Sequence, residues 1–266
     1  MTKGKVLSLY DFTGEACRPW AEAGYTCYAY DIQHSYHQNE VFGPKVIKFD
    51  GGGSIRYCHA DLHCPVTLNA IKAVFSKDER ARDEPTIFGM AFPVCTDLAV
   101  SGAAHFKRKA ERDPEFQDKA VNYAKICAEV FNAIGCPFFI ENPVSVLATK
   151  WRKPDHNFHP YEYGGYIPDD QAEHPRWPEY IAPRDAYPKK TCLWTGNGFN
   201  MPTKVSVTVK EGYATQHLKL GGKSQRTKDI RSATPRGFAI AVYEANRPNP
   251  TSGNKEKTNG NSGDIL

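Results

Sequence analysis

Short apolar runs and longer amphipathic stretches take turns along the first half of the chain. "VLSLYDF" (6–12), "TCYAYDI" (26–32), "VIKFD" (46–50), "TIFGMAF" (86–92) and "CPFFIENP" (136–143) are short, rich in β-branched and aromatic residues, and bounded by turn formers. That pattern predicts strands. Between them, "EACRPWAEAG" (15–24) predicts a short helix stopped at Gly24, and "CPVTLNAIKAVFSK" (64–77) places Leu68, Ile71, Ala73 and Phe75 at helical spacing behind Pro65. The clearest helix is 115–135. Ala120, Tyr123, Ala124, Cys127, Val130, Phe131 and Ile134 share one face there, and Gly135 ends it. This rhythm predicts an α/β fold, a doubly wound and mostly parallel sheet with helices on both faces.

The rhythm breaks between residues 151 and 190, where seven prolines and eight aromatics fall within 40 residues. No regular helix accommodates those prolines, and the aromatics argue for order. The segment reads as an irregular insertion packed over the sheet. Beyond it, "KTCLWTG" (190–196) predicts a strand and 205–220 a hairpin. Thr234 and Pro235 predict the start of a closing helix, "RGFAIAVYEAN". Residues 1–246 then make one domain, and the polar, Gly/Asn-rich stretch 247–266 reads as a disordered tail.

Composition narrows the class without naming a chemistry. The chain has 266 residues, 40% hydrophobic and 24% charged, with a net charge of +4. A folded soluble domain is the expectation, and the mild positive charge permits a polyanionic partner. No signal peptide is legible at the N-terminus, and no run approaches the ~18 apolar residues of a membrane span. A cytoplasmic monomer is expected. None of the eight cysteines forms a C-x-x-C pair. Cys58-His59 and His63-Cys64 are adjacent pairs that match zinc spacing poorly, so no metal is expected.

The chemistry-bearing residues stand at predicted strand ends, where open parallel sheets bind ligands. Asp11 and Gly14 follow the first strand, Asp31 ends the second, and Asp61 lies further along. Carboxylates so placed accept ribose hydroxyls or an adenine amino group, which favours an adenosine-containing ligand. Cys95 lies just past a strand, on a loop fixed by Pro93, where a thiolate acts as a nucleophile. Glu141 ends another strand, followed by Asn142-Pro143. A thiolate can add to C6 of a cytosine while the glutamate hydrogen-bonds N3, which prepares C5 to attack an electrophilic methyl group.

In ordered blocks spread over most of residues 5–245, the chain resembles the DNA (cytosine-5) methyltransferases, of the compact type often found in phages. "FPVCTDLAVSG" (92–102) resembles the family's nucleophile loop, "ENPVS" (141–145) its glutamate motif, and "YPKKTCLW" (187–194) the block carrying basic residues near the flipped base. "IRSATPRGFA" (230–239) resembles the Arg-x-x-Thr brace, and "AYDI" (29–32) and "HADL" (59–62) the ribose and adenine contacts. The resemblance implies the class I S-adenosylmethionine-dependent methyltransferase fold, S-adenosylmethionine as cofactor, DNA with a flipped cytosine as partner, and the cytoplasm of a host cell. It implies catalytic roles for Cys95, Glu141, Asn142 and Lys190, with Lys189 beside it. It implies cofactor contacts from Tyr10, Asp11, Phe12, Thr13, Gly14, Asp31, Ile32, Asp61 and Pro93.

Ser8 and Phe12 stand where the family carries an aspartate and the first glycine, and Val94 replaces a common proline. A side chain at residue 12 should change how the methionine end of the cofactor sits. Only about 35 residues separate "KTCLW" from "IRSATP", so the recognition region, 195–225, is reduced and a short or relaxed target site is expected. Ser101, Lys107, Arg108, Lys223, Arg226 and Arg231 are the candidate DNA contacts. Two other readings stay open: an enzyme of the same fold with another acceptor or donor, and a catalytically silent nucleic-acid binder.

Overall fold

Val6 and Leu7 are adjacent, completely buried, and face opposite ways. Val6 packs with Trp20, Phe88, Phe139 and Phe238, and Leu7 with Ile71, Phe131 and Phe138. A strand apolar on both faces needs cover on both sides. The computed structural model describes residues 3–34, 45–76, 84–211, 220 and 224–248. Its strands are β1 (Lys5–Leu9), β2 (Thr26–Asp31), β3 (Lys45–Lys48), β4 (Ser54–His59), β5 (Thr86–Ala91), β6 (Phe138–Pro143), β7 (His156–Phe158) and β8 (Thr191–Gly196). They form one eight-stranded sheet in the order β3-β4-β2-β1-β5-β6-β8-β7.

The run β4-β2-β1-β5-β6 is parallel, and β3, β8 and β7 join antiparallel. Helices α1 (Arg18–Glu22) and α7 (Arg236–Asn246) supply buried residues to one face, and α2 (Pro65–Phe75) and α4 (Phe116–Ile134) to the other. The shorter helices are α3 (Phe106–Arg112), α5 (Leu147–Lys150) and α6 (Gln225–Ser232). The chain winds outward from β1 through β2 to β4, then returns to place β5 on β1's other side. The switch point therefore lies between the C-terminal ends of β1 and β5, where such sheets bind ligands.

The expected α/β class and mostly parallel sheet are observed, with several local differences. The strand expected at 46–50 is a short antiparallel edge, and the parallel neighbour of β2 is β4, which the sequence reading passed over. "SIRYCH" buries only Ile55 fully, so its apolar pattern is weak. The segment 205–211 forms no strand. It runs along the insertion instead, with Val207 N–H on the Tyr161 carbonyl (2.9 Å) and Lys210 N–H on the Ala186 carbonyl (2.8 Å). Residues 212–219 of the expected hairpin, and the expected tail from 249 onward, lie outside the described residues.

The insertion is ordered, as its aromatics suggested. It supplies β7 and three 3-10 turns, and Phe158 stacks on Phe238 of α7 (3.9 Å between centroids, 14° between planes). It also caps α7. Thr234 makes no cap bond and Pro235 occupies the cap position. The N–H of Gly237 donates instead to Oδ2 of Asp185, 52 residues earlier (3.0 Å). Asp185 is buried at a left-handed φ of 51°, and burial pushes its carboxyl up to about 6. A carboxyl raised in the folded state stabilises the fold below its unfolded value near 3.8 and loses that contribution as pH rises through about 6. Asp185→Asn keeps the acceptor and tolerates left-handed backbone, so its melting temperature at pH 8 is expected to equal or exceed wild type. Asp185→Ala removes the cap and is expected to cost about 1–2 kcal/mol in denaturant unfolding.

Among the described residues no helix is long and apolar enough to cross a membrane.

Candidate active site

Three segments meet beyond the C-terminal ends of β5 and β6. The loop after β5 carries Cys95, whose carbonyl accepts the N–H groups of Leu98 (3.0 Å) and Ala99 (2.9 Å). The cysteine thus heads a closed turn. Asn142, 1% exposed, donates from Nδ2 to the Pro93 carbonyl (2.9 Å), which joins β6 to the Cys95 loop. The loops are clipped together again where Val100 N–H reaches the Val144 carbonyl and Val146 N–H the Leu98 carbonyl, both 3.0 Å. Two backbone bonds and one buried side chain therefore set Cys95 relative to Glu141.

Glu141 lines a narrow cleft with Phe92, Phe158, Lys189, Thr191 and Phe238, with room inside for little more than one water molecule, about 10 Å³. Burial pushes its carboxyl up, and the Lys189 ammonium opposes that shift. Cys95 is exposed and does not line the cleft, but lies close enough for Glu141 and Lys189 to act on its thiol. Its thiol is also raised, chiefly by the surrounding protein and further by Glu141, while Lys189 lowers it. Lys189 is held by a bond from Nζ to the Arg231 carbonyl (2.8 Å). One cation thus acts on both thiol and carboxyl. Of the two neighbouring lysines the structure places Lys189 in the cleft; Lys190 is exposed outside it. The strand period explains this, since adjacent residues entering β8 point opposite ways.

The crevice at the switch point holds the other predicted cluster, with a correction. Asp11 does not face it. Its carboxylate is buried, accepting Ser8 Oγ–H on Oδ2 (2.8 Å) and Gly14 N–H on Oδ1 (2.7 Å), and burial raises its pKa. Asp11 shapes the loop from within, and Ser8 is its partner. Tyr10 adopts a left-handed φ of 57° and turns its ring toward His63 and the helical core. Gly14 is required: φ is 70°, and a Cβ would lie 2.7 Å from the Tyr57 hydroxyl, which itself donates to the Thr13 carbonyl (3.3 Å). Phe12, 39% exposed, stacks on His34 (5.7 Å, 21°). His34 is anchored in turn by Nε2–H on the Asp11 carbonyl (3.1 Å).

Asp31 is buried at the tip of β2, with Gln33 N–H (2.8 Å) and Gln33 Nε2 (3.3 Å) both on Oδ1. That leaves its second oxygen for a ligand hydroxyl. Beside it, Ile32 is 57% exposed. An apolar side chain in the open next to a buried carboxylate suits the flat face and ribose of a nucleoside. Asp61 is exposed nearby, its Oδ1 on the N–H of His63 (2.9 Å). These residues fit an adenosine-bearing group; Asp11 and Tyr10 contribute loop shape. Pro93 contributes its carbonyl to Asn142.

Of the predicted DNA contacts, Ser101, Lys107 and Arg108 are exposed beside the nucleophile loop. Ser101 lies in a 3-10 turn (Val100–His105), and α3, which carries Lys107 and Arg108, is tied to the Cys95 loop by Lys109, which donates to the Thr96 carbonyl (3.0 Å) and Asp97 Oδ1 (2.6 Å). Lys109 was hidden in a basic run, where nothing marks one lysine as paired. Arg226 is exposed. Arg231 is not available to phosphates in the way expected: it is half-buried, and Nη2 donates to the Leu220 carbonyl (2.5 Å). Lys223 lies outside the described residues. His63 stacks on Tyr123 (3.8 Å), and among the described residues no group of three or more His, Cys, Asp or Glu is arranged to hold a metal.

Comparison with protein-family models gives no match, and comparison with curated proteins gives none either. The functional reading therefore rests on motif order and on this geometry.

The geometry makes Cys95 a thiol that reacts faster as pH rises. Alkylation of Cys95 by iodoacetamide, followed by peptide mass mapping, is expected to increase about tenfold per pH unit through neutrality, with a midpoint above 9. Lys189→Met removes the cation that favours the thiolate and should move the midpoint higher still. A midpoint that stays put would show that Lys189 does not act on the sulfur.

Proposed function

We propose that this protein transfers a methyl group from S-adenosylmethionine to C5 of cytosine in DNA, through a covalent Cys95 adduct. The observation that carries the reading is the pairing of Cys95 and Glu141 at the ends of adjacent parallel strands, tied through Asn142 and Pro93 and sharing Lys189. A silent binder has no use for that arrangement.

The residues have distinct tasks. The base must leave the duplex to reach the cleft, at a cost of a few kcal/mol. Phe158 and Phe238 wall the cleft, which has to widen to admit the base. The raised carboxyl of Glu141 stays protonated further toward neutral pH, so it can donate to cytosine N3, an acceptor. That bond draws electrons from C6 as the Cys95 thiolate adds there. C5 becomes nucleophilic, takes the methyl group, loses its proton, and expulsion of Cys95 restores the ring. Lys189 favours the thiolate. Asp31, Ile32 and Asp61 would hold S-adenosylmethionine, which supplies an electrophilic methyl group when bound.

The test is incubation with methyl-labelled S-adenosylmethionine and unmethylated DNA, then digestion to nucleosides. Label in 5-methylcytosine is the expected result. No label with S-adenosylmethionine still bound moves the reading to another acceptor. No label and no binding makes Phe12, stacked over the first loop, the decisive change and the protein a silent binder.

A further inference from the structure

A second pocket lies away from the cleft, lined by Arg176, Trp177, Pro178, Glu179, Tyr180 and Arg226, with a volume of about 130 Å³. Five of its residues come from the irregular insertion and one from α6. The Arg176 guanidinium lies 5.9 Å from the Trp177 ring centre, and that of Arg226 5.7 Å from the Tyr180 ring centre. Both rings are footed on a small apolar core of Ile181, Ala182, Tyr187, Ile230 and Ala233. The turn is braced by Ile181 N–H on the Trp177 carbonyl (2.9 Å) and by His174, whose Nδ1 accepts the N–H of Trp177 (3.1 Å). The rings are thus fixed by the fold: His174 stacks on Trp177 (5.2 Å, 20°) and a guanidinium lies over each ring, so a base stacks here by displacing an exposed arginine, which then turns to the phosphate.

Two flat rings, two guanidiniums and one carboxylate in one pocket match the parts of a nucleotide. Rings stack on a base of any identity. Arginines meet phosphate. A carboxylate accepts from an exocyclic amino group, which a thymine lacks. We propose that this pocket binds a nucleotide of the DNA strand flanking the target cytosine, preferring a base that carries an amino group. The inference rests on the function proposed above and adds to it a recognition site located in the insertion.

The placement agrees. Helix α6 joins the two pockets: Arg226 in its first turn lines this one, and Ser232 at its end lines the Glu141 cleft. Six residues of helix span about 9 Å, and stacked nucleotides rise about 3.4 Å each. The pocket therefore lies within a few nucleotides of the target base. A chain with a reduced recognition region before α6 has here a second surface able to read sequence.

The test measures binding of a short fluorescein-labelled duplex by anisotropy, for wild type, Trp177→Ala, Trp177→Phe and Arg226→Ala, with S-adenosylmethionine affinity and melting temperature followed in parallel. Trp177→Ala and Arg226→Ala are each expected to weaken DNA binding about tenfold. Trp177→Phe should restore it, and Arg226→Ala should lower the salt dependence by about one released ion. Abasic sites placed along the duplex should locate one flanking position whose loss weakens wild type but not Trp177→Ala. Unchanged affinity in both alanine variants, or no DNA binding by wild type, overturns the proposal. If Trp177→Ala loses stability, Arg226→Ala, on an exposed helical face, decides alone. Weakened DNA binding in these variants, in a protein that transfers no methyl group, would uphold this site and overturn the catalytic reading instead.

Discussion

Replacing Cys95 with alanine is expected to abolish methyl transfer, by about 10³-fold or more, and to leave S-adenosylmethionine binding unchanged. Cys95 is exposed and makes none of the hydrogen bonds that hold Asp31. Its loss therefore removes the bond to C6 without disturbing Asp31 or Ile32. The turn it heads is held by its carbonyl, accepting Leu98 and Ala99 N–H, and alanine keeps that carbonyl. A duplex carrying 5-fluorocytosine separates chemistry from binding, because fluorine at C5 cannot leave as a cation and the adduct persists. Wild type with S-adenosylmethionine should give a band resistant to denaturation, and Cys95→Ala none. Turnover by the alanine variant near wild-type rate would end the covalent mechanism.

The second large effect belongs to Glu141. The proposed reaction needs a protonated Glu141 beside a Cys95 thiolate; burial raises the carboxyl, which favours the acid, and raises the thiol, which makes the thiolate the scarcer partner. Between the two pKa values the acid fraction falls tenfold per unit while the thiolate fraction rises tenfold, and their product is flat. kcat/KM, which reports the free enzyme, should therefore show a plateau falling on both sides. Glu141→Gln keeps an amide donor for N3 without the ionisation. Its rate is expected to drop about 10²-fold, as when a donor to developing charge is weakened. More tellingly, its profile should lose the plateau and climb about tenfold per pH unit toward the Cys95 value. Glu141→Ala, which has no donor, should fall about tenfold further. An unchanged plateau in Glu141→Gln would assign the acid limb to some other group.

Much of this was open to reading along the chain because it depends on local period. Strand residues alternate faces and helix residues recur every three or four positions, so β1, β2, β5, β6 and α4 could be placed from apolar spacing alone. Cys95 and Glu141 could be picked out for the same reason: Cys95 follows a recognisable strand and Glu141 stands in the C-terminal half of another, and strand ends in a parallel sheet converge. Lys109 was not, because a lysine's partner is chosen in space; Asp97 lies 12 residues earlier and no pattern links them. Asp11 was read as facing a ligand, yet Ser8 and Gly14 close on it and leave it buried, an outcome set by which donors the loop brings within reach.

Sequence by itself determined the mostly parallel sheet, the two strand-end groups and the presence of an ordered aromatic insertion, since burial periodicity and composition carry those. Only the tertiary structure decided that Lys189 and not Lys190 faces the cleft, that Asp185 caps α7 from 52 residues away, and that Arg176, Trp177 and Tyr180 meet Arg226. Each of these is a meeting of residues far apart in the chain or a choice between two faces. Such outcomes follow from packing and hydrogen-bond satisfaction in three dimensions, and a local pattern contains neither.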